Sequence, residues 1–234
     1  MKIMSEKSSL KMQLLQQMGN DIEKAKVAYQ WLNEDQDVDT PQVSAVTESK
    51  PDGIYLIFES GKALPFDPDK GVDSDQAAKN DGPVKYIGVK WGSHSLAVAL
   101  HDQANGEDIT LTAKKDETEY DGYIDTYLDA VANWTGKANT EHLKQIGLNK
   151  EISLAENEYI PALGEMLFVF LNRKAVNQAL EAVGGTTIDG AWYWTSTEYS
   201  AAYAWYLILS NGLVIYGPKA SNTLRVRAVS AFQL

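Results

Sequence analysis

The chain has 234 residues, a hydrophobic fraction of 44% and a formal net charge of −11. That suits one large domain, or one domain with an appendage, and is the wrong charge for a nucleic-acid or anionic-membrane partner. There is no cysteine, which excludes disulfides, thiolate metal sites and cysteine nucleophiles.

Met1–Lys7 is followed by no apolar h-region, and no run approaches the roughly 18 apolar residues of a membrane span, so neither a secretory signal nor membrane insertion is expected. Leu15, Met18, Ile22, Ala25, Tyr29 and Leu32 recur at spacings of three and four, predicting a helical segment over residues 8–33. Gly19-Asn20 interrupts the stripe and Asn20 with Glu23 resembles a capping box, so one bent helix and two helices both fit. The stripe either packs on the domain or serves as a handle for homo-oligomer formation. Residues 34–52, with Pro41 and Pro51, read as a linker.

Ile54–Phe58 is a strand, residues 61–83 a Gly/Asp/Pro-rich loop, and Val84–Leu100 a strand pair turning at Gly92-Ser93. Asp121–Asn133 predicts a helix carrying Ile124, Tyr127, Leu128 and Val131. Asn139 caps a further helix through Leu143 and Ile146, closed by Gly147. Pro161–Leu171 and Lys174–Val183 are helical, stopped by Gly184-Gly185. Strands, two or more helices, then strands again predict an α+β domain with mixed or antiparallel sheets, whose first and last strands can pair.

Asn211-Gly212 between two apolar runs is a strong hairpin signal. With those residues as the turn, Ser210 opposes Leu213, Leu209 opposes Val214 and Ile208 opposes Ile215. Trp205, Leu207, Leu209, Val214 and Tyr216 then share one face, and Tyr206, Ile208, Ser210, Leu213 and Ile215 the other. Both faces are apolar, whereas a surface hairpin alternates. Either the hairpin is buried twice or its outer face is built to touch something. The period-two split makes Trp194, Trp205, Leu207, Leu209 and Val214 core, and Tyr206, Ile208, Leu213 and Ile215 exposed. Leu207→Ala then costs about 2–5 kcal/mol and Ile208→Ala well under about 1.

Little of the remaining chemistry points to a reaction. Asp67, Asp69, Asp73 and Asp75 crowd one loop, but Pro68 and Lys70 interrupt them and no bidentate Glu follows, so a solvated acidic loop is expected rather than a calcium site. His94 and His101 fall near strands and His142 in the first turn of a helix, with no HExxH pattern. No G-x-S-x-G elbow, phosphate loop or dinucleotide fingerprint occurs. No catalytic residue, metal or cofactor is therefore expected. Asn133-Trp134-Thr135 matches a glycosylation sequon formally and reads as chance. Glu198 and Arg227, among so many aromatics, each need a partner.

The stretch Tyr193-Trp194-Thr195-Ser196-Thr197-Glu198-Tyr199-Ser200, with Ala204-Trp205, Asn211-Gly212, Lys219, Val226-Arg227-Ala228-Val229 and Phe232, resembles the C-type lectin-fold variable proteins of diversity-generating retroelements from gut bacteria and their phages. Residues 129–140 and 159–165 are similar to the same family's middle segment. The resemblance implies a C-type lectin-like domain over 53–234, with a variable region at about 193–229, behind an N-terminal helical segment and linker over 1–52. The fold is related to that of formylglycine-generating enzymes, whose oxidation depends on cysteines that this chain lacks.

In such proteins many positions between the landmarks descend from Asn codons whose adenines are mutagenised. A codon scrambled in this way cannot yield Lys, Glu, Gln, Met or Trp. Between Ala201 and Leu224 the only residues of those types are Trp205 and Lys219, both landmarks. The implied function is display of a diversified ligand-binding surface formed by Ala201, Ala202, Tyr203, Tyr206, Ile208, Ser210, Leu213, Ile215, Tyr216, Gly217, Pro218, Ala220, Ser221 and Thr223. Tyr supplies contact area at low entropy cost and small residues supply adaptability. Tyr216 belongs to the inward face by strict pairing, and Gly217-Pro218 ends its strand. The sugar-binding calcium motifs Glu-Pro-Asn and Trp-Asn-Asp are absent, so the partner is a protein or glycan bound without calcium, on a virion or cell surface reached by a route other than a signal peptide. The alternatives are a lectin-like module without diversification and a structural subunit of a phage particle or surface assembly.

Overall fold

The computed structural model describes residues 51–71, 81–114, 120–188 and 190–232. The expected N-terminal helical segment, most of the linker, Asp73 and Asp75 lie outside the described residues. The strands are β1 (Gly53–Phe58), β2 (Ala63–Pro65), β3 (Val84–Trp91), β4 (His94–Asp102), β5 (Glu158–Tyr159), β6 (Trp192–Glu198), β7 (Tyr203–Ile208), β8 (Leu213–Pro218) and β9 (Arg227–Ala231). The helices are α1 (Tyr127–Val131), α2 (Gly136–Ile146), α3 (Leu163–Leu171) and α4 (Arg173–Ala182). The architecture is α+β, as the order of elements predicts. One antiparallel sheet runs β2-β1-β3-β4-β9-β5 and a second runs β6-β7-β8.

The first and last strands share a sheet but do not pair. The tight turn at Gly92-Ser93, where Trp91 opposes His94, sets β4 beside β3, so β1 takes the far side of β3 and β9 takes the free edge of β4. Within the stretch expected to be loop, Ala63–Pro65 adds a short edge strand to β1.

The helix expected over 121–133 forms only at 127–131. Ahead of it the backbone of Ile124 is occupied elsewhere: its N–H donates to Glu198 O (2.9 Å), and its carbonyl accepts from the Trp205 indole (2.7 Å). Thr126 then caps the shortened helix, its Oγ1 accepting from Asp129 N. Asn139 does not cap α2. The helix begins at Gly136, and the Asn139 side chain bonds Asn133 and Thr135 instead. Gly147 closes α2 in the left-handed region (φ 109°), as expected. His142 lies in the second turn of α2, one turn beyond its expected place. All nine residues of α3 are buried, as befits a helix apolar all round but for Glu165 in its first turn.

The second sheet is sandwiched. Tyr193, Trp205, Leu207, Leu209 and Val214 pack on α3 in the main core. Trp194, Tyr206 and Ile208 pack on a second cluster that includes Ile109, Leu111, Leu143, Ile146, Ile160, Leu224 and Val226. The hairpin register is Ile208↔Leu213, Leu207↔Val214 and Tyr206↔Ile215, so the loop is Leu209–Gly212 rather than Asn211-Gly212 alone. A slip of two residues leaves every side chain on its expected face. The longer loop follows from packing: Leu209 is buried in the core, and Gly212 (φ 75°) lies so close to Phe170 that a Cβ there would sit 2.9 Å from the ring.

Trp194, Trp205, Leu207, Leu209 and Val214 are core as expected, whereas two residues of the face expected to be outward are buried. Tyr206 is 5% exposed and Ile208 6%, because the chain around residues 109–111, α2 and the stretch before α3 cover the face expected to be outward. Leu213 is exposed and Ile215 half-buried. Ile208→Ala is therefore expected to cost about 2–5 kcal/mol, comparable to Leu207→Ala. Urea unfolding of both variants checks this, and a loss well under about 1 kcal/mol at Ile208 alone would mean that the second core does not form.

Candidate functional site

The C-terminal sheet is held by a polar junction inside β6. Trp194 opposes Tyr206 and Glu198 opposes Ala204, so β6 spends four steps where β7 spends two. The surplus residues leave the ladder. Thr195 Oγ1 donates to Trp205 O (2.8 Å) and Ser196 N to Pro161 O (2.8 Å). Thr197 Oγ1 donates to Asn133 Oδ1 (2.9 Å) and accepts from Leu163 N (2.9 Å). All three side chains are buried and partnered. Residues 129–140, 159–165 and 193–200, distant in sequence, thus meet at one point. A Cβ at Gly136 would lie 2.1 Å from Glu165 Oε2, and one at Gly164 would lie 2.7 Å from Asn133 O. Glu165 Oε2 accepts from Ala162 N (2.7 Å) and Oε1 from the Tyr159 hydroxyl (3.3 Å). Burial raises the Glu165 carboxyl from 4.5 to about 7.

Glu198 and Arg227 each have a partner, and not one another. Glu198 pairs through Oε1 with the fully buried Lys219 and accepts from His142 Nδ1 at Oε2 (2.6 Å). Arg227 Nε donates to Asp102 Oδ1 (2.5 Å), Nη1 to Ala99 O (2.9 Å) and Nη2 to Thr186 O (2.9 Å). The Tyr193 hydroxyl donates to the other Asp102 oxygen (3.0 Å). Burial, with Asp102 beside it, pushes that hydroxyl's pKa up and keeps it a donor.

The expected binding positions do not form one patch. Tyr203 and Tyr216, exposed at 39% and 42%, sit at the end of the hairpin far from its turn. Tyr216 stacks on Tyr199 (3.9 Å between centroids) and meets Tyr203 edge-on (6.0 Å). Half-buried Ala201, Ala202 and Pro218 adjoin that end of the hairpin. Ser210, Leu213 and Ile215 lie toward the turn, the latter two on the opposite face. Ala220, Ser221 and Thr223 belong to the loop after β8. Tyr206, Ile208 and Gly217 are interior. Gly217 is buried, and a Cβ on it would approach Asn222 Nδ2 at 2.5 Å and Tyr206 at 3.1 Å.

The loop after β8 forms one wall of an open cleft of about 560 Å³, lined by Asp108, Ala191, Trp192, Ser221, Asn222, Thr223, Leu224 and Arg225. Sequence reading missed Trp192, Asp108, Asn222 and Arg225. For Trp192 a signal existed: alternation puts it on the face of Trp194 and Tyr206, at the strand's open end. Asp108, more than eighty residues from Trp192, carried none. Elsewhere, the Asp67 carboxylate is engaged by Lys70 Nζ (2.9 Å) and Asp69 N (3.0 Å). Among the described residues no three His, Asp or Glu side chains gather as a metal set would, and no helix is long and apolar enough to cross a membrane.

No protein-family model and no curated protein matches the chain. It is similar in fold to the crystal structure of a fimbrial protein from Bacteroides ovatus, with a TM-score of 0.51 at 16% identity, over 78% of this chain and 49% of that one. The chain thus spans about half the length of that protein.

Two outcomes follow from the buried charges. Lys219→Ala should destabilise by about 3–5 kcal/mol because it leaves the buried Glu198 without its cation and with His142 alone as side-chain partner, while Glu198→Gln with Lys219→Met should cost less than the single change. Denaturant titration of both variants checks the pair. Because the folded state raises the Glu165 pKa, its contribution is full below about pH 4.5 and is lost as pH rises through about 7, on the order of 3 kcal/mol. Glu165→Gln should flatten that part of the stability profile, and an unchanged slope would rule Glu165 out as its source.

Proposed function

We propose that this protein displays a ligand-binding surface on a C-type lectin-like fold, and that a retroelement diversifies that surface. One observation carries the reading: apart from the exposed Asn211 and the half-buried Tyr199 and Ser200, the family's landmarks are interior, and the positions between them are mostly at the surface. Trp194, Glu198, Trp205, Lys219, Val226, Arg227, Ala228 and Val229 are each at most 5% exposed. Tyr203, Ser210, Leu213, Tyr216, Ser221 and Thr223 are exposed, and Ala201, Ala202, Ile215, Pro218 and Ala220 are half-buried. Diversification confined to the second set changes contacts and spares the fold, since exposed positions away from special features shift stability by about half a kcal/mol or less. The buried positions Tyr206, Ile208 and Gly217 drop out of the set. The exposed Tyr203 and Tyr216 suit a paratope, giving large contact area at low entropy cost.

A second reading, a subunit of a surface assembly, draws on the fold it shares with a fimbrial protein. There the Tyr203 and Tyr216 end would meet a neighbouring subunit, as contiguous exposed apolar surface often does.

The test is a set of variants in which Tyr203, Ser210, Leu213, Tyr216, Ser221 and Thr223 are replaced together by Asn, Ser or Asp, followed by circular dichroism and heating. Melting within a few degrees of the parent is expected. If most variants unfold or aggregate, display fails. Sequencing the gene's surroundings gives an independent arm. A reverse transcriptase and a near-duplicate of the segment encoding residues 193–229, differing only at adenines, are expected, and their absence would remove diversification. Concentration-dependent assembly lost with Tyr203→Ser and Tyr216→Ser would favour the second reading.

A further inference from the structure

The cleft beside Trp192 has the composition of a carbohydrate site. Its volume of about 560 Å³ falls among ligand pockets and is far larger than a single ion needs. Trp192 keeps 46% of its surface exposed. It is not a loose side chain: its ring stacks on Tyr206 (5.7 Å, 12°), and Tyr206 meets Trp194 edge-on (5.6 Å, 83°). Both supporting rings are buried. The strand carrying Trp192 is tied to the opposite wall, with Arg225 N donating to Trp192 O (2.9 Å) and Trp194 N to Arg225 O (2.9 Å). Platform and wall are therefore fixed before a ligand arrives, which lowers the ordering cost of binding.

Apart from Ala191 and Leu224, the rest of the lining is polar and charge-balanced. Arg225 Nε donates to Asp108 Oδ1 (2.7 Å), and both side chains remain partly exposed, at 34% and 57%. Arg225 also lies 3.6 Å from Asp102 Oδ2. A guanidinium already flanked by carboxylates does not favour an anion, and an aspartate already facing a guanidinium does not favour a cation. Both keep hydrogen-bonding capacity to spare, as do Asn222, Ser221 and Thr223. A pyranose ring presents C–H groups on one face and hydroxyls around its rim. The first suits the electron-rich face of an indole, and the second suits a rim of mixed donors and acceptors.

We propose that this cleft binds a neutral glycan without a metal ion, with Trp192 as the stacking platform and Asp108, Asn222 and Arg225 as fixed hydrogen-bonding groups. Ser221 and Thr223 then select among sugars, and for that role the proposal rests on the display reading; the platform does not.

The experiment is affinity electrophoresis of the full chain through gels containing mannan, galactan, xylan or mixed-linkage β-glucan, each with excess EDTA. Retardation by at least one polysaccharide is expected. Trp192→Ala should weaken it about tenfold or more, the loss of an anchoring aromatic, with the folded circular dichroism spectrum retained. Asp108→Ala, at an exposed position, should also weaken it and gives the answer should Trp192→Ala unfold. Leu128→Ala, exposed on α1 and outside the lining, should leave it unchanged, and Ser221→Ala with Thr223→Ala should alter the ranking of the polysaccharides. No retardation in any gel, retardation abolished by EDTA, or retardation indifferent to both Trp192 and Asp108 would overturn the proposal. A template repeat beside the gene with no retardation would refute the glycan and leave display standing. Retardation with no such repeat would do the reverse.

Discussion

The β6–β7–β8 sheet is covered on both faces, so every polar atom on it must find its partner within the protein. That constraint accounts for the composition of β6. The run Thr195-Ser196-Thr197 is too polar for a core strand and too buried for a surface one, and the two surplus residues of the bulge resolve the conflict by turning its hydroxyls and amides onto Asn133, Pro161 and Leu163. Gly136 and Gly164 let the two helix starts approach closely enough to receive them. The same constraint governs the buried charges. Lys219 is paired with Glu198 and Arg227 with Asp102, so each buried cation is matched by a buried carboxylate and the net charge of −11 is carried by the rest of the chain.

Two-sided burial also decides where variation is tolerable. A side chain pointing from either face toward the middle of the sheet meets packed neighbours, so substitution there changes core volume. Only strand ends and loops remain, and they fall into separate groups. Trp192 and Leu213 stand at the turn end on one face, while Tyr203 and Tyr216 stand at the far end on the other. A compact ligand cannot engage both groups at once. Recognition at one end leaves the other free for a second contact, which separates the question of what is bound from the question of what the protein is mounted on.

Much of this fold was legible in the sequence because periodicity and turn chemistry act locally. The Gly92-Ser93 hairpin, the Gly147 stop and the division of hairpin faces all follow from a few neighbouring residues. Three things were not legible, two of them because a distant segment intervenes. The helix expected from Asp121 is cut back because Glu198 and Trp205 claim the backbone of Ile124. Asn139 loses its capping role because α2 starts a turn earlier, at Gly136. The outer face of the hairpin is an inner one because residues from three other parts of the chain cover it. Period two tells which side chains share a face and cannot tell whether another layer lies on it. The alternative of a hairpin buried twice was visible in its double apolarity. The cleft was half legible: Ser221 and Thr223 were expected at a binding surface, whereas Asp108 joins it only through the Ile109–Leu224 bridge.

With no disulfide available, the loop between β8 and β9 must be held by other means, and its two ends are pinned differently from its middle. At one end the Lys219 side chain is buried against Glu198, its N–H donates to Ala202 O, and its carbonyl accepts from Leu111 and Thr112 N–H. At the other end Leu224 exchanges two backbone bonds with Ile109, and Arg225 bridges backbone to Trp192 and Trp194 and side chain to Asp108. Between these anchors Ala220, Ser221 and Thr223 are at least partly exposed, and Asn222 donates its N–H to Pro218 O. Apart from the Arg225–Asp108 pair, the fixing interactions are thus backbone bonds or belong to landmark side chains, and few depend on the side chains of the intervening positions. A loop built this way keeps its path while its surface chemistry changes, which is the physical requirement that the proposed diversified site would place on its scaffold.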